Sequence, residues 1–152
     1  MPGRLSQKHW KDGRVRVLVW HLDRFRSVVT EKGRSPVCEE PRAREATAAN
    51  CALCMIAVEK ADEGRVEDVA ARFAEFAAEH SRTIGVTTFV LLPFSHLFVQ
   101  LGDPHTALAI FDSIETKLVS AGLDVIRLPF GWFNELELKA KGHPVSRVAR
   151  QF

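Results

Sequence analysis

The most informative part of the chain is the sequence Pro129-Phe130-Gly131-Trp132-Phe133, which is followed a few residues later by Lys141-Gly142-His143-Pro144. Glycine allows a positive φ or the close approach of another group, and proline stiffens a turn and removes a backbone donor. A large aromatic side chain beside such a glycine suits the wall of a pocket. The alternative is a hairpin whose aromatic side chains pack in the core, which is their commoner use. Residues 134–140, between the two clusters, are predicted to form a strand.

The length and composition fit one domain with a proper hydrophobic core. The chain has 152 residues, of which 46% are hydrophobic and 26% are charged, values typical of a soluble globular protein. The net charge of +2 permits a nucleic-acid partner but does not argue for one. Three cysteines do not suggest a disulfide framework.

The ends and the hydropathy of the chain bear on its organisation and location. Residues 1–13 are polar and are predicted to be a flexible lead-in, with a single domain over residues 14–150. No apolar run is long enough to span a membrane, and the lead-in has no apolar signal-peptide core. The sequence therefore predicts a cytoplasmic protein without a membrane partner.

Hydrophobic periodicity predicts an α/β fold, with a mixed β-sheet and helices packed against it. Asp103 and Pro104 form a typical helix start, and Gly122 a typical stop. Residues 30–50 are rich in Pro, Arg and Glu and are predicted to be a long loop or a weak edge element, and residues 146–152 a polar exit. The predicted strands are 14–20, 51–59, 87–92, 124–129 and 133–140, and the first predicted helix is 66–80.

Cysteine and histidine spacing gives no support for a metal or a cofactor. Cys51 and Cys54 are three apart in a predicted strand, so their side chains should be buried on opposite faces rather than converge. No two histidines form a helical ligand pair. His80 lies on the apolar stripe of its helix and is predicted to face the core or to cap. His96 and His143 are better placed for function, beside turns at strand ends.

Backbone groups are a further chemical resource where strands end. Unpaired N–H and C=O groups near Val58-Glu59, near residues 93–96 and near Phe130-Gly131 could bind an amine or polarise a carbonyl. His21 and Asp23 are predicted to follow the C-terminal end of the first strand, where open sheets often carry functional groups.

Several segments, taken in order, carry a family resemblance. They are Arg16–Asp23 (RVLVWHLD), Met55–Lys60 (MIAVEK), Leu92–Leu97 (LPFSHL), Ala121–Phe133, and Lys141–Pro144 (KGHP). Together they resemble the N-terminal editing domain of archaeal-type threonyl-tRNA synthetases, over roughly residues 14–150. The resemblance implies a D-aminoacyl-tRNA deacylase-like fold, normally a homodimer, with further synthetase or anticodon-binding domains after it. It also implies that the substrate is tRNA(Thr) aminoacylated with serine, and that a catalytic synthetase acts in cis or in trans.

The resemblance also implies roles for individual residues. A water attacks the seryl ester, helped by backbone groups and by the 2′-hydroxyl of the tRNA, with no metal and no cofactor. His96 would lie close to the terminal adenosine or the water, and Asn134 takes the other catalytic position. The implied lining of the serine pocket is Ala57, Val58 and Glu59 on one side, Pro93, Phe94 and Ser95 opposite, and Phe130, Gly131, Trp132 and Phe133 as the third side.

The chain departs from the family pattern at four of its positions. Phe133 stands where the family commonly has Tyr, Asn134 where it has Lys, Arg147 where an acidic residue is common, and Ala57 where Ser is common. Either catalysis rests more on backbone dipoles and the RNA, or this copy is an inactive tRNA-binding or dimerisation module. D-aminoacyl-tRNA deacylation on the same fold is the alternative enzymatic function.

Overall fold

The structure is a computed structural model that describes residues 14–94 and 103–152. Those residues form a curled mixed β-sheet with two α-helices, which confirms the predicted α/β class. The elements are β1 (Arg16–Lys32), β2 (Glu45–Ala57), a 3₁₀ turn (Lys60–Asp62), α1 (Val66–Ile84), β3 (Thr88–Pro93), α2 (Pro104–Ser120), β4 (Asp124–Arg127), β5 (Trp132–Ala140) and β6 (Arg147–Gln151).

The long first strand organises the sheet. The strand order is β4-β3-β2-β1-β5, and β6 also pairs with β1. Strands β2, β3 and β4 are parallel, whereas β1 runs antiparallel to β2, β5 and β6. Residues 16–20 of β1 pair with β6, and residues 22–32 pair with β5. The connection between β5 and β6 therefore crosses β1 near its middle, at His21.

Both helices pack on one face of the sheet through the apolar stripes that the sequence predicts. α1 buries Val69, Ala70, Phe73, Ala77 and His80 and ends at Gly85, whose φ is 69°. In α2, Pro104 is the first helical residue and Gly122, with φ 84°, follows the last turn, so the predicted start and stop are confirmed. The helices and the sheet share one hydrophobic cluster, the helix-side cluster, in which the largest buried side chains include Phe73, Phe89, Phe111, Ile110 and Ile114.

The opposite face carries a second hydrophobic cluster, to which neither α1 nor α2 contributes. We call this the inner cluster; its buried members are Leu22, Phe25, Cys51, Leu53, Val90, Leu92 and Leu128. Leu22 and Phe25 share it although they are three residues apart, because the pairing with β5 shifts register between Leu22 and Arg24. Such irregularities bend a strand and increase its twist. The far halves of β1 and β2 consequently curl over β3 and β4 and enclose the inner cluster.

The first two strands are longer than the sequence indicated. Of the two alternatives for residues 30–50, the long loop is wrong at both ends, because residues 30–32 belong to β1 and residues 45–50 to β2. His21 and Asp23 consequently lie inside β1, not beyond its end. The second half of β1 alternates Arg and Ser with apolar residues, and charged residues on its open face hide the strand from a search for apolar runs.

The predicted polar exit at residues 146–152 is also wrong. Residues 147–151 form β6, an edge strand whose burial pattern is mostly exposed, which explains its polar composition. Its partner is the start of β1, with Arg16 opposite Gln151 and Trp20 opposite Arg147. Phe152 then closes the helix-side cluster at 7% exposure and meets Phe73 edge to face.

Residues 33–44, which we call the strap loop, fasten the end of β4 to the rest of the domain. Glu39 accepts a hydrogen bond from Phe130 N–H through Oε1 (2.9 Å), and its carbonyl accepts one from Trp132 Nε1 (2.7 Å). Its carboxylate also pairs with Arg127 at 2.9 Å, and Arg127 reaches Asp112 of α2 as well. Gly33 N–H donates to Gly131 C=O at 2.7 Å. The turn at residues 129–132 is therefore enclosed by the strap loop.

Gly131 is the residue on which this enclosure is expected to depend. Its φ is 87°, and an added Cβ would lie 2.7 Å from Cys38 Sγ and 2.8 Å from the Val37 carbonyl. Gly131→Ala should lower the free energy of unfolding by about 2–4 kcal/mol, from the left-handed backbone and the contact together. Gly142→Ala is the matched control, since nothing lies within 4 Å of its added Cβ. Urea unfolding of the two variants measures the difference, and equal stabilities would contradict this role.

Candidate functional site

The C-terminal ends of the three parallel strands meet at one edge of the sheet. Ile56 of β2 is paired with Pro93 of β3, and Phe94 N–H donates to Ile56 C=O at 2.9 Å. Leu128 N–H donates to Leu91 C=O at 3.0 Å, which continues the same edge to the end of β4. The structure therefore brings residues 57–59, 93–94 and 128–130 to one edge, in the order β2, β3, β4.

The side chains at this edge divide between the two faces. Ala57 is 1% exposed and Val58 6% exposed, and as consecutive residues leaving a strand they point to opposite faces. Val58 belongs to the helix-side cluster, and the half-buried Phe130 packs against the same cluster. Ser95 and His96, which the sequence assigned to this site, lie outside the described residues.

Much of the backbone expected to be unpaired at this edge is already paired. Glu59 N–H donates to Asp62 Oδ2 at 2.8 Å, and Glu59 C=O accepts from Asp62 N–H at 3.0 Å. Phe130 N–H and C=O both bond to Glu39, and Gly131 C=O accepts from Gly33. The expectation of free groups at Glu59 and Phe130 is wrong, because a 3₁₀ turn and the strap loop use them.

Asp62 is the residue at this edge that sequence reasoning missed. It is fully buried and accepts hydrogen bonds from the backbone of Val15 (3.2 Å) and Glu59 and from the guanidinium of Arg65 (2.9 Å). Burial nevertheless raises the pKa of Asp62 above its ordinary value. Since Glu59 and Asp62 are three apart, they form a capping box around the 3₁₀ turn, and that spacing was the available sequence signal.

The two departures from the family pattern on β5 lie beyond the enclosed turn. Trp132 is opposite Lys32 and Asn134 is opposite Val29, on the far half of β1. Phe133 is 62% exposed. Asn134 Nδ2 donates weakly to Trp132 C=O at 3.4 Å, and its Oδ1 is buried without a partner among the described residues. Asn134 is thus an uncharged side chain at a position where the resemblance leads us to expect a lysine.

Arg147 lies elsewhere in the fold. It sits on β6 opposite Trp20, nine positions along β1 from Val29, and its guanidinium stacks 5.3 Å from the centre of the Trp20 ring. Asn134 and Arg147 therefore pair with different halves of β1. The stacking on Trp20 gives Arg147 a contact of its own in this chain.

His143 and His21 form a hydrogen-bonded chain at the crossing of β1. His21 is 5% exposed, and its Nδ1 lies 2.8 Å from His143 Nε2, while its Nε2 lies 2.8 Å from Asn50 Oδ1. Asn50 Nδ2 donates to Gly85 C=O at 3.0 Å, so Oδ1 is the atom that faces His21. His21 then donates through Nε2, and its Nδ1 is the acceptor for His143 Nε2 when that nitrogen carries the proton between the two rings.

This histidine chain is remote from the strand ends. Asn50 precedes Cys51, which pairs with the first residue of β3, whereas Ile56 pairs with the last. Five residues of extended strand separate the two levels, or roughly 17 Å. Backbone bonds from Lys141 N–H to His21 C=O (2.9 Å) and from His21 N–H to Ser146 C=O (2.7 Å) fix the turn that carries His143. His143 thus joins β1 to the β5–β6 connection.

The remaining chemical candidates are buried. Cys51 lies in the inner cluster and Cys54 in the helix-side cluster, which confirms that they face opposite ways, and burial raises the pKa of Cys51 to about 11. His80 is core-facing, as predicted: it is 6% exposed and stacks on Phe76, and burial lowers its pKa. Within residues 14–94 and 103–152, no group of three or more acidic, His or Cys side chains is arranged to hold a metal ion. No helix in those ranges is long and apolar enough to cross a membrane.

Comparison with known proteins places these features in a family. The model of the family described as the archaea-specific editing domain of threonyl-tRNA synthetase matches residues 15–152. The chain is 31% identical over 137 residues to threonine–tRNA ligase of Methanocaldococcus jannaschii, and 33% identical over 138 residues to that of Methanothrix thermoacetophila. Each match covers 90% of this chain and 22% of the relative, so the chain spans about a fifth of the length of these relatives.

The histidine chain generates a prediction about stability. His143→Ala should lower the free energy of unfolding by about 1–2 kcal/mol, because it leaves Nδ1 of the buried His21 without its donor. His143→Gln keeps a side-chain N–H donor and should recover at least half of that loss. Urea unfolding of both variants at pH 8 is the measurement. Equal losses for Ala and Gln would show that the hydrogen bond is not what matters at this position.

Proposed function

Because the chain belongs to the family of archaea-specific editing domains of threonyl-tRNA synthetase, we propose that it hydrolyses seryl-tRNA(Thr) and spares threonyl-tRNA(Thr). Membership supports proofreading in general. The proposed serine specificity is supported by a second observation. The ends of β2, β3 and β4 meet at one edge of the sheet, where side chains such as Ala57 are small. Ala57 and Pro93 at this edge are the side chains proposed to admit serine and to exclude the methyl group of threonine.

The chemical need for such a site follows from the two amino acids. Serine and threonine differ by one methyl group, and a binding pocket gains only about 1–3 kcal/mol from such a group. A synthetic site built for threonine therefore accepts serine too often. A second, hydrolytic site that is too small for the threonine methyl removes the error. A small pocket can exclude the larger amino acid by steric clash, whereas a large pocket cannot exclude the smaller one.

In the proposed pocket, Ala57, Val58 and Glu59 form one wall, and Pro93, Phe94 and Ser95 form the wall opposite. Phe130 to Phe133 form the third side. With the backbone of Glu59 and Phe130 engaged within the chain, these residues act by shape. Direct polar contact with the serine is left to Val58 and to the segment after Phe94.

Hydrolysis transfers the seryl group to water. The water oxygen attacks the ester carbonyl carbon, the bond from that carbon to the ribose 3′-oxygen breaks, and the 3′-oxygen takes a proton as free serine leaves. The neighbouring 2′-hydroxyl of the terminal adenosine relays that proton. His96 is assigned to the adenosine or the water, and Asn134 is assigned as the other catalytic side chain.

The partners follow from the same proposal. The domain works on tRNA(Thr) in the cytoplasm, together with a catalytic synthetase in cis or in trans. A homodimer is consistent with β5, an edge strand whose Phe133, Leu136 and Leu138 are 39–62% exposed. Further synthetase domains account for the remaining length of the relatives.

A second candidate, tRNA binding without hydrolysis, is favoured by one observation. Phe133 lacks the hydroxyl that is common in the family and is largely exposed, and Arg147 is stacked on Trp20 and engaged there. Two groups that would contact a substrate in the usual pattern are thus replaced by groups without that chemistry. D-aminoacyl-tRNA deacylation is the other enzymatic outcome on this fold.

The deciding measurement is deacylation of preformed seryl-tRNA(Thr), with threonyl-tRNA(Thr) as the control and EDTA present in both. We expect rapid loss of serine and retention of threonine, with no effect of the chelator. Ala57→Val should slow serine release at least tenfold without unfolding the domain, by filling the space below the ester. Retention of both amino acids with intact tRNA binding would favour the binding module, and loss of D-aminoacyl groups alone would favour the other deacylase.

A substitution at Asn134 tests whether the 2′-hydroxyl of the tRNA, and not this side chain, carries the catalysis. Asn134→Ala should lower the rate of serine release no more than about fivefold if water and the 2′-hydroxyl carry the reaction, whereas a terminal 2′-deoxyadenosine should lower it by about a thousandfold, or ~4 kcal/mol. Single-turnover rates with saturating domain make the comparison. If Asn134→Ala lowers the rate of serine release a thousandfold while the 2′-deoxy substrate is hydrolysed at full rate, the protein side chain and not the RNA carries the reaction.

A further inference from the structure

One residue of the strap loop, Glu39, makes four polar contacts with the turn at residues 129–132 and the strand that leads into it. Its N–H donates to Phe130 C=O at 2.9 Å, and its C=O accepts from the indole Nε1 of Trp132 at 2.7 Å. Its carboxylate accepts from Phe130 N–H through Oε1 at 2.9 Å and pairs with Arg127 through Oε2 at 2.9 Å. Glu39 therefore holds the turn by its backbone and by its side chain.

The ion pair that anchors the Glu39 carboxylate is shielded from water. The side chain of Arg127 is 2% exposed and that of Glu39 is 20% exposed. Cζ of Arg127 lies 5.8 Å from the centre of the Phe111 ring, and its other terminal nitrogen pairs with Asp112 on the same helix. A little-exposed pair is screened less than a surface pair and keeps its geometry better. Glu39 is thus fixed relative to α2, and so is the turn that it holds.

The middle of the turn is constrained as well. Gly131 C=O accepts from Gly33 N–H at 2.7 Å, and Cys38 Sγ lies 3.6 Å from the same oxygen. Outward movement of the turn would break these contacts together with those of Glu39. The strap loop consequently fixes the distance between residues 130–132 and the ends of β2 and β3.

That distance matters because the two amino acids to be separated differ by one methyl group. Exclusion by steric clash works only if the walls of the pocket do not yield, since attraction alone separates such a pair weakly. A selective site has to be held within roughly 0.5 Å by surrounding hydrogen bonds and packing. A wall that moves by the width of a methyl group would admit threonine as well as serine.

We propose that Glu39 is a positioning residue for amino-acid selection. Acting through Phe130 and Trp132, it sets the third side of the serine pocket at the distance that excludes the threonine methyl group. The inference rests on the proposed function, because the assignment of residues 130–133 to the pocket is part of that proposal. It adds a residue from the strap loop, which is outside the segments that carry the family resemblance.

The test compares the release of serine from seryl-tRNA(Thr) with that of threonine from threonyl-tRNA(Thr). Glu39→Ala should speed threonine release at least about tenfold and change serine release no more than roughly threefold, because a relaxed wall still accepts serine. Glu40→Ala is the matched control: Glu40 is the next residue, has the same charge and is exposed. His143→Ala, which removes a hydrogen bond at the remote level of Asn50, controls for loss of stability and should leave the ratio of the two rates unchanged.

A milder variant keeps the inference testable if Glu39→Ala does not fold. Glu39→Gln retains an acceptor for Phe130 N–H but lacks the charge that pairs with Arg127. It should lower the ratio of serine to threonine release by less than Glu39→Ala does. Hydrogen exchange of the Phe130 amide and the Trp132 indole, followed by NMR, should be faster in both Glu39 variants and unchanged in Glu40→Ala.

Binding of two non-hydrolysable ligands separates this inference from the proposed hydrolysis. The ligands are 3′-amino-3′-deoxyadenosine acylated with serine or with threonine through an amide. A preference for the seryl amide that falls in Glu39→Ala and persists in Glu40→Ala supports the inference, even where no ester is hydrolysed. An unchanged preference in both Glu39 variants, or an equal fall in His143→Ala, overturns it and leaves the proposed function standing. If the unaltered chain does not distinguish the two amides, the inference and the proposed serine pocket both fail.

Discussion

The curl of the first strand is the constraint on which the rest of the structure depends. A strand of 17 residues cannot stay flat against a helix layer that covers only its first part. At the register shift after Leu22 it turns, and its far half encloses the inner cluster without a contribution from α1 or α2. The curl delivers the strap loop to the end of β4, where the buried Arg127 joins Glu39 to Asp112. Removing a guanidinium from such a site leaves carboxylates without their partner, which is why one side chain can hold three segments together.

The two levels of the sheet have different tasks. At the level of Asn50, a non-glycine residue with φ 46°, a hydrogen-bonded chain of His143, His21 and Asn50 ties β1 to α1 and to the β5–β6 connection. A positive φ at a non-glycine residue persists only where several surrounding contacts fix the backbone conformation. At the other level, the ends of β2, β3 and β4 carry the residues assigned to the substrate. Six paired residues of β2 and β3 connect the level of Asn50 to the strand ends. The rigid hydrogen-bonded chain at Asn50 therefore helps to hold the ends of β2 and β3 in register.

Local patterns predicted the elements whose signals are local. The stripe of α1, the Asp103-Pro104 start of α2 and the positive φ of Gly122 each depend on neighbours in sequence. The second half of β1, by contrast, is a strand because β2 and β5 pair with it, and its alternating arginines gave no apolar run. The bond between His21 and His143 joins residues 122 apart, and nothing in either neighbourhood specifies the other. Of the site, the meeting of 57–59 with 93–94 depends on the parallel pairing of β2 with β3, which the strand patterns did not specify. The use of the Glu59 and Phe130 backbone by Asp62 and Glu39 likewise depends on tertiary contacts.

Phe133 and Asn134 are best understood through the charge that the substrate brings. The resemblance leads us to expect a Tyr and a Lys at these positions, and both would be donors. This chain has an exposed phenyl ring and an amide there instead. In the proposed reaction, backbone groups and the 2′-hydroxyl of the tRNA therefore have to supply the donors that the ester needs. Holding the RNA in place becomes correspondingly more important, since proximity of a bound group is worth more than a single hydrogen bond.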